Sequence, residues 1–336
     1  VYRNGDYRVK INGGNWNTAT TWEMYNAGIW VVASTAPATT TRCFVPINYR
    51  VIVNNSSCVV GDLYNDGTVE FTNSPTATGA LTISDSLYTA TGLGLIKMET
   101  TDPLKQSTLV LQGRININKI YSNGSSCRVY YTYNTSGSTV LVMPGRYNNL
   151  YLCRTSLGST LGKRILYGGD VLIVNQLYVN TSDTFLCDTN QITVYPYSKF
   201  TIVAGAKISF GNMNYNKEIL FPAFDTILID TTSTVCYLSG GIQRIKGIYY
   251  GHLYVNGGAK VMDYNVSVRG RLYLNTDINV GNYRLTLFHR DTIGSYVGGT
   301  VFSSVIGGRI VMSKKSELLK VYDKNQLVTY PVGTGT

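Results

Sequence analysis

The feature that most constrains the fold is an internal repeat of about 95 residues, built from short apolar segments. Four blocks recur in one order. The matched blocks are Ser138–Val140 with Ser233–Val235, Tyr147–Leu152 with Tyr250–Val255, Asp170–Thr181 with Asn265–Thr276, and Asp188–Val194 with Gly281–Leu287. Within each copy of the repeat, short apolar runs alternate with Gly or Asn turns, and we call one such run with its turn a rung. A single rung leaves an apolar face that it cannot bury alone, so rungs must stack on one another.

Short apolar runs bounded by Gly, Asn or Ser predict strands throughout the chain, at steps of about ten residues. The predicted strands are Arg50–Val53, Val69–Phe71, Leu109–Leu111, Ile115–Ile117, Val171–Val174, Gln191–Tyr195, Phe200–Val203, Ile208–Phe210, Thr226–Ile229 and Leu285–Phe288. The one helical pattern is Ser313–Val321. We predict an all-β protein, a parallel β-helix or β-solenoid with an N-terminal cap. Tandem β-sandwiches are the alternative, because about 95 residues is also the size of one sandwich.

The repeat divides the chain into three parts. We expect residues 1–60 to form the cap and the first rungs. Residues 61–330 form the solenoid, with the repeat at about 138–194 and 233–287, and residues 331–336 begin a linker to a further domain. The chain begins with Val, which fits either a removed export signal or a fragment of a longer protein.

Charge and composition exclude some classes of partner. Only 14% of residues are charged, against about 25% in typical soluble domains. The net charge is +10, and the Lys and Arg residues that produce it are scattered singly along the sequence. Nucleic-acid-binding domains concentrate Lys and Arg on one face, so we predict no specific nucleic-acid partner. A diffuse attraction to anionic polysaccharides or other anionic surfaces fits better. No apolar run approaches the roughly 20 residues that cross a bilayer, so no membrane span is predicted.

The six cysteines do not form a metal-binding pattern. No CxxC pair occurs and there are two histidines, so we predict neither a metal site nor a cofactor. Buried free thiols are favoured over disulfides, and Cys187 and Cys236 align with apolar residues of the other copy. The segment Gly61–Gly67 has the look of a calcium loop, but Tyr64 and Asn73 stand where ligands belong. We predict a turn there.

Three stretches of sequence carry a family resemblance. They are Gly13–Trp22 followed by Val45-Pro46 and Val51–Val53, then Tyr250–Leu287, and finally Tyr330–Thr334. Together they resemble secreted surface proteins of the Bacteroidetes. The resemblance implies a β-solenoid adhesin or filament-like protein, exported by the type IX system to the cell surface, with gliding motility among the roles of such proteins. The sorting domain of that system is not in this sequence, so the resemblance also implies that the chain is the N-terminal part of a longer protein. The alternative is that the chain reaches its destination without that signal.

The predicted function is therefore a non-enzymatic extracellular stalk or adhesin segment. Its partners would be glycans, other surface proteins or the secretion machinery. A filament-forming subunit is one alternative, and self-assembly belongs to it. A polysaccharide-processing β-helix enzyme or phage tailspike-like protein is another, although acidic residues are sparse and no Asp-Asp or Asp-x-Asp pair occurs.

Four Leu-Tyr pairs mark a candidate contact stripe. Neighbouring residues of a strand point to opposite faces, so a buried Leu places the following Tyr outside. The stripe residues are Tyr151, Tyr178, Tyr254 and Tyr273. Tyr offers a large contact area at low entropic cost. The alternative is that these tyrosines simply cover a sheet, as their β-propensity favours.

Two further sets of residues have both a functional and a structural interpretation. Trp16 and Trp22 are assigned to the cap that covers the end of the solenoid, with a carbohydrate-stacking pair as the alternative. Ser86, Thr226 and Thr292 follow Asp and precede an apolar residue, which resembles the O-glycosylation signal of the Bacteroidetes. Ordinary Asp-Ser and Asp-Thr turns are the alternative at these sites.

Overall fold

The computed structural model describes residues 1–71, 79–90, 94–99, 107–112, 114–116, 119–122, 124, 126–132, 139–153, 163–180, 184–288, 293–295, 301–303, 309–312 and 332–334. In the part of the chain that the structure describes, strands make up 55%, far above the 20–25% usual for globular proteins. The one helical element among the described residues is a 3₁₀ turn, Ala19–Thr21. No helix in this part of the chain has the length and apolarity needed to span a membrane.

The strands are short and follow one another closely. The first half contains β1 Tyr7–Val9, β2 Gly14–Asn15, β3 Trp22–Asn26, β4 Ile29–Val32, β5 Arg42–Val45, β6 Arg50–Val53, β7 Cys58–Asn65, β8 Thr68–Phe71, β9 Ala80–Tyr88, β10 Leu95–Met98, β11 Ser107–Leu111, β12 Arg114–Asn116, β13 Lys119–Ser122, β14 Cys127–Tyr131, β15 Thr139–Val142, β16 Gly145–Leu152, β17 Lys163–Leu166 and β18 Val171–Val179. The second half contains β19 Thr184–Leu186, β20 Ile192–Val194, β21 Lys199–Ile202, β22 Lys207–Phe210, β23 Thr226–Ile229, β24 Thr234–Tyr237, β25 Gln243–Ile245, β26 Tyr249–Tyr250, β27 His252–Val255, β28 Lys260–Met262, β29 Val266–Val268, β30 Leu272–Leu274, β31 Ile278–Asn279, β32 Arg284–Leu287, β33 Ile293–Ser295, β34 Val301–Ser303, β35 Arg309–Met312 and β36 Val332–Thr334.

The described strands stack as parallel coils of about nine turns, so the predicted β-solenoid is confirmed. The register shows the length of a turn: Val235 pairs with Leu253, and Leu253 pairs with Leu272, steps of 18 and 19 residues. Tandem sandwiches would pair neighbouring strands as antiparallel hairpins, whereas here the strands from β5 onward pair parallel with strands one turn away. The 95-residue repeat is thus several turns long.

The chain divides into two compact units. Unit 1 comprises Val1–Tyr178, Thr193–Phe200 and Phe224–Thr226, and unit 2 comprises Val179–Ile192, Thr201–Ala223 and Ile227–Thr336. In unit 1, β5, β7 and β9 form one parallel ladder, and β6, β8, β10 and β13 form another. In unit 2 three parallel ladders run side by side. They are β19-β22-β24-β27-β30-β33, β25-β28-β31-β34-β36 and β26-β29-β32-β35.

The N-terminal cap is the antiparallel part of unit 1. Strand β3 pairs antiparallel with both β1 and β4, and β1 joins the solenoid by pairing parallel with β5. The β3–β4 hairpin turns through Ala27 and Gly28, which both have positive φ (49° and 92°). Positive φ at both central residues is the type I′ geometry that matches the twist of a two-residue hairpin. Parallel pairing begins within residues 1–60, where β1 pairs with β5 and β2 pairs with β6.

Inward and outward side chains alternate along each strand, and the inward ones form the core. Along β27 the burial pattern puts Leu253 and Val255 inside, with less than 1% of their surface exposed, while His252 and Tyr254 are half-buried. The same alternation recurs in β30, where Leu272 is buried. All ten predicted strands occur, within a residue or two, except that Val171–Val174 extends to the nine residues of β18. Apolar side chains of one turn are thus buried against those of the next.

The last described strand lies in the segment 331–336, the expected start of a linker. Val332–Thr334 form β36 and pair parallel with β34. The β-branched Val and Thr of this segment suit one more strand of the same ladder. The helical pattern Ser313–Val321 lies outside the described residues.

Three of the four repeated blocks occupy equivalent settings. The N–H of Tyr195 donates to the carbonyl of Ile173 at 2.9 Å, and the N–H of Phe288 donates to that of Val268 at the same distance. The first block differs: Val140 lies on β15, which pairs with β17, whereas Val235 lies on β24 and pairs with the Leu-Tyr strand β27. The true counterpart of β24 is β14, which pairs with the Leu-Tyr strand β16. A short apolar block of three residues was too little to distinguish two neighbouring strands.

Truncating an inward side chain should lower the free energy of unfolding more than truncating an outward one. Leu253→Ala removes a fully buried side chain and leaves a cavity, so we expect a loss of about 2–5 kcal/mol in the free energy of unfolding. Tyr254→Ala removes an outward ring and should cost about 1 kcal/mol. Urea unfolding of both variants, followed by circular dichroism, makes the comparison. Equal losses, or a larger loss for Tyr254→Ala, would contradict the assigned register.

Candidate functional site

The four predicted Leu-Tyr pairs have the predicted orientation. Leu150, Leu177, Leu253 and Leu272 are buried, and each following tyrosine is half-buried on the outer face. Because the pairs recur at the same place in successive turns, the tyrosines meet along the stacking direction. They form two rows, one in each unit.

In unit 1 the row is Tyr130, Tyr151 and Tyr178, which we call the Tyr151 ladder. The rings of Tyr130 and Tyr151 stack at 4.6 Å with 14° between their planes, and Tyr151 and Tyr178 are tilted, 5.7 Å apart. Tyr130 and Tyr151 are directly paired in the register of β14 and β16. Burial and the two neighbouring tyrosines raise the pKa of the Tyr151 phenol, partly offset by Arg128.

A second row in unit 1 was missed by sequence reasoning. Phe44, Tyr64 and Tyr88, the Tyr64 ladder, stack at 4.6 Å and 5.4 Å, with interplanar angles of 9° and 26°. The guanidinium of Arg42 lies 5.8 Å from the ring of Tyr64. The available signal was the same dipeptide as elsewhere, because Tyr64 and Tyr88 each follow a leucine in sequence.

In unit 2 the row is Tyr254 and Tyr273, the Tyr254 ladder, with ring centroids 6.1 Å apart. One turn earlier, Cys236 occupies the same register as Tyr254. Cys236 is buried, as predicted, but it alternates with the inward Val235, so its thiol lies on the outer face. The ammonium of Lys207 lies 5.5 Å from the ring of Tyr254 and interacts with this thiol. All six cysteines are free thiols, in line with the favoured interpretation.

Ring geometry determines what the ladders can bind. Where rings lie nearly parallel, as Phe44 and Tyr64 do, each face is covered by its neighbour. The outward surface is then a row of ring edges, with a hydroxyl at each tyrosine, repeated at about the 4.8 Å spacing of strands. Such a row offers hydrogen bonds at regular intervals, rather than open aromatic faces for sugar rings.

Two buried tyrosine pairs recur as equivalent networks in the two copies. The hydroxyls of Tyr131 and Tyr147 lie 2.7 Å apart, and Tyr147 donates to the carbonyl of Met143. The hydroxyls of Tyr237 and Tyr250 are also 2.7 Å apart, and Tyr250 donates to the carbonyl of Lys246. Burial raises the pKa of all four phenols. These tyrosines point inward, and their role is to satisfy polar groups of a turn.

The two predicted cap residues lie in the cap interior. Trp16 and Trp22 have 0% of their surface exposed, and their rings meet edge to face at 5.0 Å. The indole N–H of Trp22 donates to the carbonyl of Trp16 at 2.7 Å. Neither ring face is open to a ligand, which favours the covering role over carbohydrate stacking.

The three O-glycosylation candidates differ in access. Ser86 lies on β9 with 7% of its surface exposed, and its hydroxyl hydrogen-bonds the carboxylate of Asp62. Thr226 is exposed at the start of β23. Thr292 lies outside the described residues. A glycan has room at Thr226 and little at Ser86.

Acidic residues near the Tyr64 ladder have structural partners. Burial, and then the nearby Asp85, raise the pKa of the Asp62 carboxyl, with Ser86 and Arg42 acting in the opposite direction. In the segment considered as a calcium loop, Asp66 accepts hydrogen bonds from Thr89 and from the N–H of Ala90, as a turn residue does. Within the described ranges, no group of three or more His, Cys, Asp or Glu residues is arranged to hold a metal ion.

The buried tyrosine pairs predict alkaline unfolding. Their pKa values are raised above the value near 10 of an unfolded chain, so above that pH the unfolded state loses protons that the folded state keeps. Stability should therefore be unaffected below about pH 9 and fall as the pH rises beyond 10. Parallel pH titrations of tyrosinate absorbance and circular dichroism check this. Tyr131, Tyr147, Tyr237 and Tyr250 should ionise only as the β signal is lost, and full ionisation of all 27 tyrosines in a folded chain would contradict it.

No protein-family model, curated protein or solved structure matches this chain. The resemblance to secreted Bacteroidetes surface proteins therefore stays a prediction from the sequence.

Proposed function

We propose that this chain is a non-enzymatic structural and adhesive module of an extracellular surface protein, which contacts glycans or other surface proteins through its outer faces. The observation that carries the proposal is the set of outward aromatic ladders. A solenoid buries one side of each strand and repeats the other side at every turn, so a single outward tyrosine becomes a row. The Tyr64, Tyr151 and Tyr254 ladders are three such rows.

A row of this kind suits a polymer better than a small molecule. The hydroxyl of Tyr254 accepts a hydrogen bond from the side-chain amide of Asn275 at 2.8 Å and keeps its own hydrogen to donate to a ligand. The spacing between turns repeats such contacts along the stack. Many weak contacts then add up along one ligand chain. Lys207 beside the Tyr254 ladder extends the contact to acidic polymers, whereas the charge of Arg42 beside the Tyr64 ladder is already paired with the carboxylate of Asp6. The net charge of +10 favours the same partners.

The placement outside the cell rests on the sequence resemblance. Type IX export, a Bacteroidetes source and a role in gliding motility belong to the proposal in that sense. Thr226 is the candidate glycan attachment site with an exposed side chain. Mass spectrometry of the protein isolated from its native host would detect a modification there.

Removing ladder hydroxyls while keeping the rings tests the proposal. We expect the triple variant Tyr64→Phe, Tyr151→Phe, Tyr254→Phe to lose binding to immobilised acidic and neutral polysaccharides by about tenfold, because hydrogen bonds along the row are lost while stacking remains. The control is Tyr167→Phe with Tyr215→Phe, two exposed tyrosines (56% and 54%) outside the ladders. Surface plasmon resonance measures both. An equal loss in the control, or no polysaccharide binding by the native chain, would refute the role of the ladders.

Self-assembly is a second candidate, favoured by the outer edge of the cap. Within the described residues β4 pairs with β3 alone, and its Ile29 and Val32 are 63% and 51% exposed. An apolar edge strand without Lys or Pro invites pairing with another strand. If this edge drives assembly, Val31→Lys will abolish oligomers in analytical ultracentrifugation, while the control Ile242→Lys, at an exposed position in unit 2, will not. A native chain that stays monomeric at high concentration excludes this candidate.

A further inference from the structure

Unit 2 contains a cleft of about 800 Å³ on its outer surface, within the range of ligand sites. Every residue that lines it belongs to unit 2. One wall is β23, with Leu228 47% exposed. The opposite wall is formed by outward side chains of β26 and of the β29 region, and residues 201–203 complete the lining.

The cleft exists because the parallel ladder is interrupted here. Strand β23 precedes β26 by one turn, yet the two belong to different sheets. At one end of the cleft the backbone after β23 lies against the backbone after β26. A Cβ atom added at Gly251 would come within 2.2 Å of the carbonyl oxygen of Asp230. Glycine at 251 permits this approach, and beyond it the two strands diverge around the cleft. The cleft is therefore closed at the Asp230 end.

The lining combines three kinds of group. Tyr249 is 57% exposed, and the guanidinium of Arg269 lies 5.0 Å from the centre of its ring. Asn265 and Ser267 add an amide and a hydroxyl from the neighbouring strand. Ile227 to Ile229 of β23 supply an apolar surface. Stacking on a ring leaves the N–H groups at the edge of a guanidinium directed sideways, where a carboxylate binds them in bidentate fashion.

Two charges of opposite sign line the cleft, and each suits a different part of an acidic sugar. Arg269 forms no salt bridge within the described residues, so its charge is available to a ligand. On the opposite wall Asp230 accepts the N–H and the hydroxyl of Thr232 at 2.8 and 2.7 Å, and these bonds lower the pKa of its carboxyl. Asp230 therefore stays ionised and suits sugar hydroxyls as an acceptor.

We propose that this cleft binds a uronic-acid residue of an acidic polysaccharide, with Arg269 holding the carboxylate and Tyr249 covering one face of the sugar. The inference rests on the proposed adhesive function and gives it a ligand class. A uronate offers an apolar C–H face, hydroxyls and one planar carboxylate, which are the counterparts of the three groups above. An extended peptide pairing with the edge of β23 fits less well, because it would have to stop at the Asp230–Gly251 contact.

The unit 1 pair Arg146 and Tyr195 is a matched control. The guanidinium of Arg146 lies 5.2 Å from the ring of Tyr195, which is 42% exposed, and neither residue lines the cleft. This pair has the same chemistry and nearly the same geometry as Arg269 and Tyr249. Its loss removes an equal charge and an equal ring from the surface.

The experiment titrates the full chain with three uronate probes, namely tetragalacturonate, tetramannuronate and a hyaluronan tetrasaccharide, by isothermal titration calorimetry. We expect at least one to bind, and its methyl ester to bind about tenfold more weakly because the carboxylate is lost. Arg269→Gln and Tyr249→Ala should each raise the dissociation constant about tenfold. Arg146→Gln and Tyr195→Ala should change it by less than about twofold, and circular dichroism confirms folding of all four variants.

Each other outcome overturns the inference in a distinct way. Equal effects of both variant pairs would assign binding to the general surface charge. Equal binding of the acid and its methyl ester would show that the cleft does not recognise the carboxylate, although the chain would still bind glycans. Failure of all three uronates, with neutral polysaccharides still bound by the chain, refutes the cleft and spares the proposed function. Chemical-shift changes at Leu228 on adding an extended Thr-Val hexapeptide, without any uronate binding, would identify a peptide site.

Discussion

Every coil of this solenoid depends on parallel pairing with the coil before and after it. Pairing satisfies the backbone, and the same stacking buries the inward residues of each strand, such as Leu253 between Val235 and Leu272. A slip of one residue would exchange the faces, burying Tyr254 and exposing Leu253. The strand register therefore determines both which residues form the core and which residues form the outer surface.

The outer surface follows from that constraint. Where the ladder is continuous, outward residues of successive turns stack, and tyrosines form the Tyr64, Tyr151 and Tyr254 ladders. Where it is interrupted, between β23 and β26, the surface opens into a cleft that exposes Tyr249 and Arg269. The continuous regions suit repeated contacts along a polymer, and the interruption suits one defined residue of it. Both features fit a surface-binding module.

Much of the fold could be predicted from short-range pattern. Alternation along a strand depends on neighbouring residues only, which is why the strands and the outward Leu-Tyr tyrosines were predicted correctly. The same reasoning would have found Tyr64 and Tyr88. The features that the sequence did not predict depend on which coil packs against which. Cys236 is buried on the outer face beneath Lys207 and Tyr254, and the cleft needs two strands to separate. Lys260 is another example: it is fully buried, donates to the carbonyls of Ser239 and Gly258, and its pKa is lowered to about 8 by desolvation.

The most direct test of the account is the set of methyl–methyl nuclear Overhauser contacts in the core of unit 2. If coils stack as described, the methyl groups of Leu253 will show strong contacts with those of Val235 and Leu272, one turn away on either side. Contacts linking Leu253 to the strands adjacent in sequence, with none to Val235 or Leu272, would indicate antiparallel hairpins. That result would contradict the solenoid and every surface derived from it.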